Sequence, residues 1–183
     1  MNNSIKKLLL YIKEDIKANG KIGLDYPIRW VLGEENARIK LYLVVFRVLE
    51  YLMNTSNPLT KLWYPFFYVW HKRQSLKYGL FLHPNTIGYG LKIAHLGGVH
   101  INCLKMGNYC TITQGVVLGK KRGNENRPII GDNVHLLLGC KVLGKIKIGD
   151  NSIVAPNSVV IKDVPADCVV SGVPAIIIKN VRK

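Results

Sequence analysis

The sequence has few acidic residues, and the motifs of common basic proteins are missing. Asp and Glu number 11 against 26 Lys and Arg, which gives a formal net charge of +15. A partner that is attracted at long range should therefore be anionic. The basic residues are dispersed, and the sequence contains no zinc-finger, homeodomain or RNP motif, so we expect no nucleic-acid partner.

Paired cysteines and long apolar runs are missing as well. The four cysteines form no C-x-x-C motif, no apolar stretch reaches the roughly 18 residues of a membrane span, and residues 1–14 lack the apolar core of a signal peptide. We therefore expect free thiols and a cytoplasmic protein. Segments 41–46 and 62–70 combine aromatic residues with flanking Lys and Arg, which is typical of a helix on a membrane surface. Ordinary helix packing is the favoured explanation of this composition, and peripheral association with the inner face of the membrane is the alternative.

A period of six residues runs through the C-terminal half. From Met106 to Val160 an apolar side chain recurs at every sixth position, and only position 124 interrupts the series. Ile87, Ile93 and Val99 have the same step, with one residue inserted before Met106. Neither a helix, with its period of about 3.6, nor an alternating strand gives this spacing. Hexapeptide repeats are typical of parallel β-helices, in which the apolar residues of successive coils stack inside a triangular prism.

The repeat divides the chain into two parts and predicts the fold class, which is mainly β. Residues 77–183 are predicted to form a left-handed parallel β-helix, with the polar segment 120–128 as a projecting loop and a C-terminal cap. Residues 1–76 lack the period and are predicted to form a small N-terminal α-helical domain. Its helices are expected over residues 4–18, 34–54 and 58–73, the last kinked at Pro65.

Several segments after residue 77 occur together in one group of proteins. They read "LFLHPNTIGYGLKIAHLGGVHIN", "GNYCTITQGVVLGK", "RPIIGDNVHLLLGCKVLGKIKIGDNSIVAPNSVVIKDVP" and "SGVPAIII". In these segments the chain resembles the serine acetyltransferases and their relatives that acetylate capsular polysaccharides and exopolysaccharides. The resemblance implies an acetyl-CoA-dependent O-acyltransferase, a homotrimer with active sites between neighbouring subunits, and no metal.

The resemblance assigns His95 as the catalytic base. A neutral imidazole can take the proton of a hydroxyl while the oxygen attacks a thioester. Serine acetyltransferases orient this histidine with an aspartate, but the matching residue here is Phe81, and Ala94 precedes the base. The orienting group must then be a backbone carbonyl or an acidic residue of the helical domain, for which Asp25 is the candidate.

Further differences concern the acceptor. Serine acetyltransferases carry an Arg-His pair in the projecting loop, whereas the aligned residues here are Asn126 and Arg127. A site that lacks partners for the ammonium and carboxylate groups of serine discriminates against serine. We therefore expect the acceptor to be a sugar hydroxyl of a surface polysaccharide or its precursor, bound by Asp25, Asn126 and Arg127. L-Serine is the alternative acceptor.

The resemblance also places the donor. Acetyl-CoA is expected along Gly119, Lys120, Leu138, Pro156 and Lys179, with the lysines near its phosphates. Leu138 and Pro156 stand where the family has small residues, which narrows the predicted groove.

Two alternative hypotheses about function remain, a zinc enzyme and a non-catalytic scaffold. His95 and His100, five residues apart, resemble the zinc-binding strand of γ-type carbonic anhydrases, which needs a third histidine from across a subunit interface. His135 is the one downstream candidate. A non-catalytic scaffold is the other reading, and it predicts no acetyl-CoA turnover for a His95 substitution to abolish.

Overall fold

The computed structural model describes residues 4–20, 23, 25–120 and 126–180, in which five helices precede fourteen short strands. The helices are α1 (Ile5–Ala18), α2 (Tyr26–Val31), α3 (Glu35–Asn54), α4 (Pro58–Lys61) and α5 (Tyr64–Tyr78). The strands are β1 (Leu80–Leu82), β2 (Lys92–Ile93), β3 (Val99–Ile101), β4 (Lys105–Met106), β5 (Thr111–Ile112), β6 (Val117–Gly119), β7 (Ile129–Ile130), β8 (His135–Leu136), β9 (Lys141–Leu143), β10 (Lys147–Ile148), β11 (Ile153–Val154), β12 (Val159–Val160), β13 (Cys168–Gly172) and β14 (Ala175–Asn180).

Local sequence signals account for several helix ends. At the start of α1 the Ser4 hydroxyl accepts a hydrogen bond from the backbone N–H of Lys7 at 3.3 Å. Asn57 caps α4 in the same way, accepting from the N–H of Leu59 at 2.9 Å. Such caps satisfy N–H groups that have no partner within the helix. Helix α5 ends at Gly79, whose φ of +62° is a left-handed conformation that glycine adopts without strain.

The helix predicted over residues 58–73 is in fact two helices. Helix α4 ends at Lys61 and α5 begins at Tyr64, so Pro65 lies in the first turn of α5. Proline lacks an N–H group and is tolerated in a first turn but not in a helix interior. The predicted kink at Pro65 is therefore wrong. Helix α5 also extends to Tyr78, beyond the predicted end at residue 73, and the short helix α2 was not predicted.

The strands wind into a left-handed parallel β-helix, which confirms the predicted fold class. Three sheets form the faces of the prism: β1-β3-β6-β9-β12, β4-β7-β10, and β2-β5-β8-β11-β13, to which β14 is added. In each face a strand pairs in parallel with the strand one coil away, and an aliphatic side chain points into the prism. In the third sheet these stacked residues are Ile93, Ile112, Leu136, Val154 and Val170, each at most 3% exposed. All four cysteines are free and buried.

The six-residue period is broken at one corner of the first coil. The interior residue Ile101 follows the interior residue Ile93 by eight positions, and Met106 follows Ile101 by five. Val99, which the sequence places on the lattice, is buried, but Ile101 is the residue in register with Leu118 of the next coil. The single insertion predicted before Met106 is therefore two residues gained after Ile93 and one lost after Ile101.

Buried polar side chains attach the helices to the first coil. The guanidinium of Arg47 in α3 is fully buried and donates to Asp15 Oδ2 at 2.7 Å and to Glu50 Oε2 at 2.8 Å. It also donates to two backbone carbonyls of the first coil. The carboxylates in turn accept backbone N–H groups from that coil, Asp15 from Leu91 at 2.9 Å and Glu50 from Asn85 at 2.7 Å. The first coil has no preceding coil to pair with, and these side chains take the place of one.

At the other end of the prism the chain reverses direction. Strand β14 pairs antiparallel with β13, where the sequence predicts a cap. Of the predicted loop 120–128, residues 121–125 lie outside the described residues. The division into domains at residue 77 stays a prediction; α5 ends at Tyr78 and β1 begins at Leu80.

The two aromatic segments singled out in the sequence have different environments. Segment 41–46 lies in α3, where Tyr42, Leu43 and Phe46 are buried, so it is ordinary core. Segment 62–70 lies at the start of α5, and most of its large side chains are exposed. Within the described ranges no helix is long and apolar enough to cross a bilayer.

Candidate functional site

His95 lies at the corner where the period is broken. The chain leaves β2 and turns through Gly97 and Gly98, whose φ angles are +99° and +67°. These angles are in the region that glycine adopts far more readily than other residues. The two glycines and the two extra residues together widen the corner. The imidazole of His95 is open to solvent, with 61% of the side chain exposed.

A carboxylate from the helical region contacts this imidazole. Glu35, the first residue of α3, places Oε2 3.1 Å from His95 Nδ1, and its Oε1 accepts the backbone N–H of Leu96 at 2.7 Å. The Leu96 hydrogen bond, supported by His95, lowers the pKa of Glu35. An ionised carboxylate can only accept hydrogen bonds. A neutral His95 therefore carries its proton on Nδ1, and the lone pair of Nε2 is left to act as a base.

Glu35 is held in place because α3 is fixed to the prism along its length. The Tyr42 hydroxyl donates to the carbonyl of Leu80 at 2.8 Å, and the Arg47 cluster fixes the next turns of the helix. The start of α3 is thereby positioned beside the widened corner. The orienting contact thus depends on residues that are 60 positions apart in the sequence.

Sequence reasoning missed Glu35 and selected Asp25 instead. The carboxylate of Asp25 is paired with Arg29, which also donates to Glu34 at 3.1 Å. In the structure Asp25 therefore does not orient His95, and a substrate contact by Asp25 stays a prediction. An acidic residue in the first turn of a helix is favourable in any protein, so the position of Glu35 gives no signal of its role. Its contact with His95 follows only from the packing of α3 on the first coil.

The residues that replace the expected acids make apolar contacts. Phe81 lies on the outer face of β1, and its ring contacts that of His100 at a tilt of 38°, with the centroids 5.6 Å apart. Ala94 continues β2 into the corner and donates its N–H to the carbonyl of Ile112 at 2.9 Å. Neither side chain can hold a proton, and the carboxylate at this corner comes from Glu35 instead.

Two of the predicted donor-binding residues share an edge of the prism with His95. His95, Gln114, Leu138 and Pro156 each lie two residues beyond a stacked residue of the third sheet, in four successive coils. Adjacent strands are about 4.8 Å apart, which places Leu138 roughly 10 Å and Pro156 roughly 14 Å along the edge from His95. Leu138 is 42% exposed and Pro156 is also exposed. An extended ligand could follow this edge and end at the imidazole.

The other predicted binding residues lie elsewhere on the same chain. Gly119 ends β6 and Lys120 follows it, so one face of the prism separates them from the corner of His95. Asn126 and Arg127 lie just before β7, beyond the undescribed residues 121–125. Lys179 lies on β14 beyond the last coil, opposite Val169. The structure of one chain does not bring these residues to His95.

A cavity of about 260 Å³ lies beside the start of α3. Charged side chains of both signs line it, since Asp25 and Glu34 face it together with Arg29 and Lys40. Glu34 directly precedes Glu35, so the cavity adjoins the residue that holds His95. Its size and mixed charge suit a small zwitterionic molecule.

The histidines of the zinc alternative have separate surroundings. His95 contacts Glu35, while the ring of His100 contacts that of Phe81. His135 lies on β8, two coils along from β2. Within the described part of the chain, no group of three or more His, Cys, Asp and Glu residues is placed to hold a metal ion.

Comparison with known proteins agrees with the fold. Residues 127–162 match the family described as bacterial transferase hexapeptide (six repeats). The serine acetyltransferase of Synechococcus elongatus is 42% identical over 104 residues, which cover 55% of this chain and 43% of that protein. The chain spans about half the length or less of the curated relatives it matches.

Solved structures cover more of the chain. The serine acetyltransferase of Neisseria gonorrhoeae in complex with serine superposes with a TM-score of 0.70 and 30% identity, over 96% of this chain and 71% of that one. A serine acetyltransferase in complex with CoA gives a TM-score of 0.70 at 25% identity, over 95% of this chain and 71% of that one. The similarity therefore includes the helices as well as the prism.

These comparisons correct the predicted acceptor. The relatives are serine acetyltransferases, so the expectation of a polysaccharide sugar is wrong and the alternative is better supported. The expectation rested on the loss of the orienting aspartate at Phe81, but Glu35 supplies a carboxylate from a different element. With similarity to serine acetyltransferases over both regions, and with the hexapeptide repeat in the prism, the chain belongs to the serine acetyltransferase-like family of hexapeptide-repeat transferases.

Proposed function

We propose that the protein transfers the acetyl group of acetyl-CoA to the hydroxyl of L-serine, with His95 as the base. The observation that carries the proposal is the contact of Glu35 with His95 Nδ1 at the corner where the step of the repeat lengthens from six residues to eight. The names of the relatives, all serine acetyltransferases, support the reaction and the acceptor.

The reaction needs one base and no covalent enzyme intermediate. His95 Nε2 takes the proton of the serine hydroxyl as its oxygen attacks the carbonyl carbon of the thioester. The carboxylate of Glu35 stabilises the imidazolium that forms. The carbon–sulfur bond then breaks, the acetyl ester remains on serine, and coenzyme A leaves as a thiolate that takes the proton back from His95. Backbone N–H groups that donate to the oxyanion would contribute about 2.7–4 kcal/mol each.

The charged cavity beside α3 supports an amino acid as acceptor. Serine is a zwitterion, and Asp25 and Glu34 can receive its ammonium group while Arg29 and Lys40 receive its carboxylate. Asp25 keeps its predicted role in substrate binding under this proposal. A structure of a relative holds serine, which agrees with an acceptor of this kind.

The edge that begins at His95 supports acetyl-CoA as donor. Leu138 and Pro156 offer exposed apolar surface for the pantetheine arm along the same edge as the base. Lys179 is exposed at the end of the prism toward which this edge runs, where an anionic phosphate can be bound. A relative has been solved in complex with CoA.

A homotrimer would explain why the remaining predicted residues lie away from His95. Gly119, Lys120, Asn126 and Arg127 lie across one face of the prism from the corner of His95. Parallel packing of three prisms would bring this edge of one subunit against the His95 edge of its neighbour. We propose that the active site is completed in this way.

The test is an acetyl-CoA consumption assay on the purified full chain, in which released thiol is measured. We expect turnover with L-serine, little with a panel of sugars and nucleotide-sugars, and a loss of at least about 100-fold in kcat for His95→Asn. His135→Asn, two coils away, should keep the wild-type rate. A sugar preferred to serine, or a His95→Asn variant with normal kcat, would overturn the proposal.

A further inference from the structure

We propose that the junction between α4 and α5, together with the first half of α5, docks on an anionic lipid surface. The contact would be made by the aromatic face, which consists of Leu62, Trp63, Phe66, Val69 and Trp70. This inference does not depend on the proposed reaction.

The aromatic face is a continuous apolar surface on the outside of the helices. Trp63, Phe66 and Val69 are 60%, 56% and 50% exposed, and Leu62 is 77% exposed. The rings contact one another, with Phe66 5.8 Å from Trp70 and 6.4 Å from Trp63 between centroids. A contiguous exposed apolar surface marks an interaction site, whereas scattered apolar residues do not.

Helix α5 is apolar on two opposite sides, and among the described residues only one of these sides is packed against another helix. Its inner side packs on α3, where Tyr42 and Phe46 contact the buried ring of His71. Its outer side is an open apolar surface that includes Phe66, Val69 and Trp70. Burial against α3 therefore accounts for the inner residues and leaves the aromatic face unexplained.

The charge around the aromatic face has a single sign. Lys61, Lys72, Arg73 and Lys77 are exposed on the same helices. The sequence contains no Asp or Glu from Tyr51 to Asn124, so these cations have no acidic neighbour along this stretch of the chain. Tryptophan, with its amphipathic ring, is enriched where lipid headgroups meet the hydrocarbon, and Lys and Arg beside it are attracted to anionic headgroups.

The same charge disfavours a second copy of the chain as the partner. Two aromatic faces packed against each other would bring the cations of one copy against those of the other. Like charges across an interface are repulsive and select against such a partner. An anionic bilayer offers both an apolar interior for the rings and a negative surface for the lysines.

The experiment is flotation of the full chain with vesicles. We expect binding to vesicles that contain phosphatidylglycerol and weak binding to vesicles of pure phosphatidylcholine. Binding should weaken as salt is raised from 0.1 M to 0.5 M, because the Debye length is about 10 Å at 0.1 M and shorter at higher salt. In a Trp30→Phe background, brominated lipids should quench the fluorescence of Trp63 and Trp70, the two remaining tryptophans.

Two variants separate the apolar and electrostatic contributions. Trp63→Ser with Phe66→Ser should lower the apparent vesicle affinity at least about tenfold, because two apolar side chains no longer insert. Lys72→Gln with Arg73→Gln should lower it about 25-fold, since each cation near an anionic surface contributes about fivefold.

Matched controls change the same residue types on the prism. Ile176→Ser with Ile178→Ser removes two exposed apolar side chains from β14, and Lys147→Gln with Lys162→Gln removes two exposed cations. Both controls should bind vesicles within about twofold of the wild type, since these sites lie away from the lipid. The proposal is overturned if wild-type binding is absent, if controls and variants lose equally, or if Trp63→Ser with Phe66→Ser instead dissociates an oligomer in analytical ultracentrifugation.

Discussion

The prism makes the same contact many times, whereas the helical region makes each of its contacts with the prism once. In the prism, one aliphatic residue per strand meets its copy in the next coil, as Ile112 meets Leu136. In the helical region, the junction consists of single polar contacts such as Arg47 with Asp15 and Glu35 with His95. Repeated contacts leave a period in the sequence, and single contacts do not. The single contacts nevertheless hold the candidate base.

We expect the largest effect from Arg47→Met, which breaks the junction between the helical region and the prism. The substitution leaves the carboxylates of Asp15 and Glu50 buried without their cation. Removing one partner of a buried ion pair costs about 3–5 kcal/mol. We expect the free energy of unfolding, measured by urea denaturation, to fall by that amount.

The control for this prediction is Arg29→Met. Arg29 also contacts two carboxylates, but it is 54% exposed in its side chain. Exposed ion pairs contribute less than about 1 kcal/mol, so this variant should remain close to the wild type. Equal losses in the two variants would show that burial of the junction is not what makes it important.

A second prediction locates a pH dependence of stability in the helical region. Burial of His71 against Tyr42 and Phe46 lowers its pKa to about 4. Because the folded protein binds this proton less readily than the unfolded chain does, the contribution to stability is complete above about pH 6.5 and is lost as the pH falls toward 4. Between pH 7.5 and 4.5 this loss amounts to about 2–3 kcal/mol.

The measurement compares His71→Phe with the wild type at both pH values. Phenylalanine fits the aromatic surroundings and does not titrate. The wild type should lose about 2–3 kcal/mol more than the variant on acidification, because the other titrating groups are common to both proteins. Parallel pH profiles of unfolding free energy would contradict the assignment to His71.

The smallest expected effect is on the rate, from Glu35→Gln. The amide keeps the size of the side chain but cannot stabilise an imidazolium by charge. Because the Glu35 and His95 side chains are 43% and 61% exposed, we expect a loss of about tenfold to 100-fold in kcat, with the KM values for serine and acetyl-CoA unchanged. Glu14→Gln removes an exposed carboxylate that contacts Tyr109, and it should leave kcat unchanged. A change in KM alone would indicate a binding role for Glu35.

The same difference between repeated and single contacts explains what the sequence could predict. The prism could be predicted from the period, since residues of the same type occupy the corresponding interior position in several successive coils. At the corner of His95 the step of the repeat lengthens from six residues to eight, between Ile93 and Ile101. The sequence alone places this irregularity differently, as a single insertion before Met106. Irregularity in the repeat is therefore a signal of the candidate site that the sequence contains.

Glu35 could not be predicted because its role depends on how α3 packs. Asp25 and Glu35 are both acidic residues near helix starts, and nothing in their sequence context separates them. The prediction of a sugar acceptor was wrong for a related reason. The loss of an acid at Phe81 looked like the loss of a function, while the structure supplies the carboxylate from a helix that precedes the prism.

The cluster at Arg47 also has a consequence for the order in which the protein assembles. A solenoid grows by adding coils to an edge that already exists. Here the groups that receive the first coil, Asp15, Asn19, Arg47 and Glu50, all precede it in the chain. During synthesis they leave the ribosome before any strand does. The helices thus form a template against which the first coil can close, and the winding of the prism can follow the direction of translation.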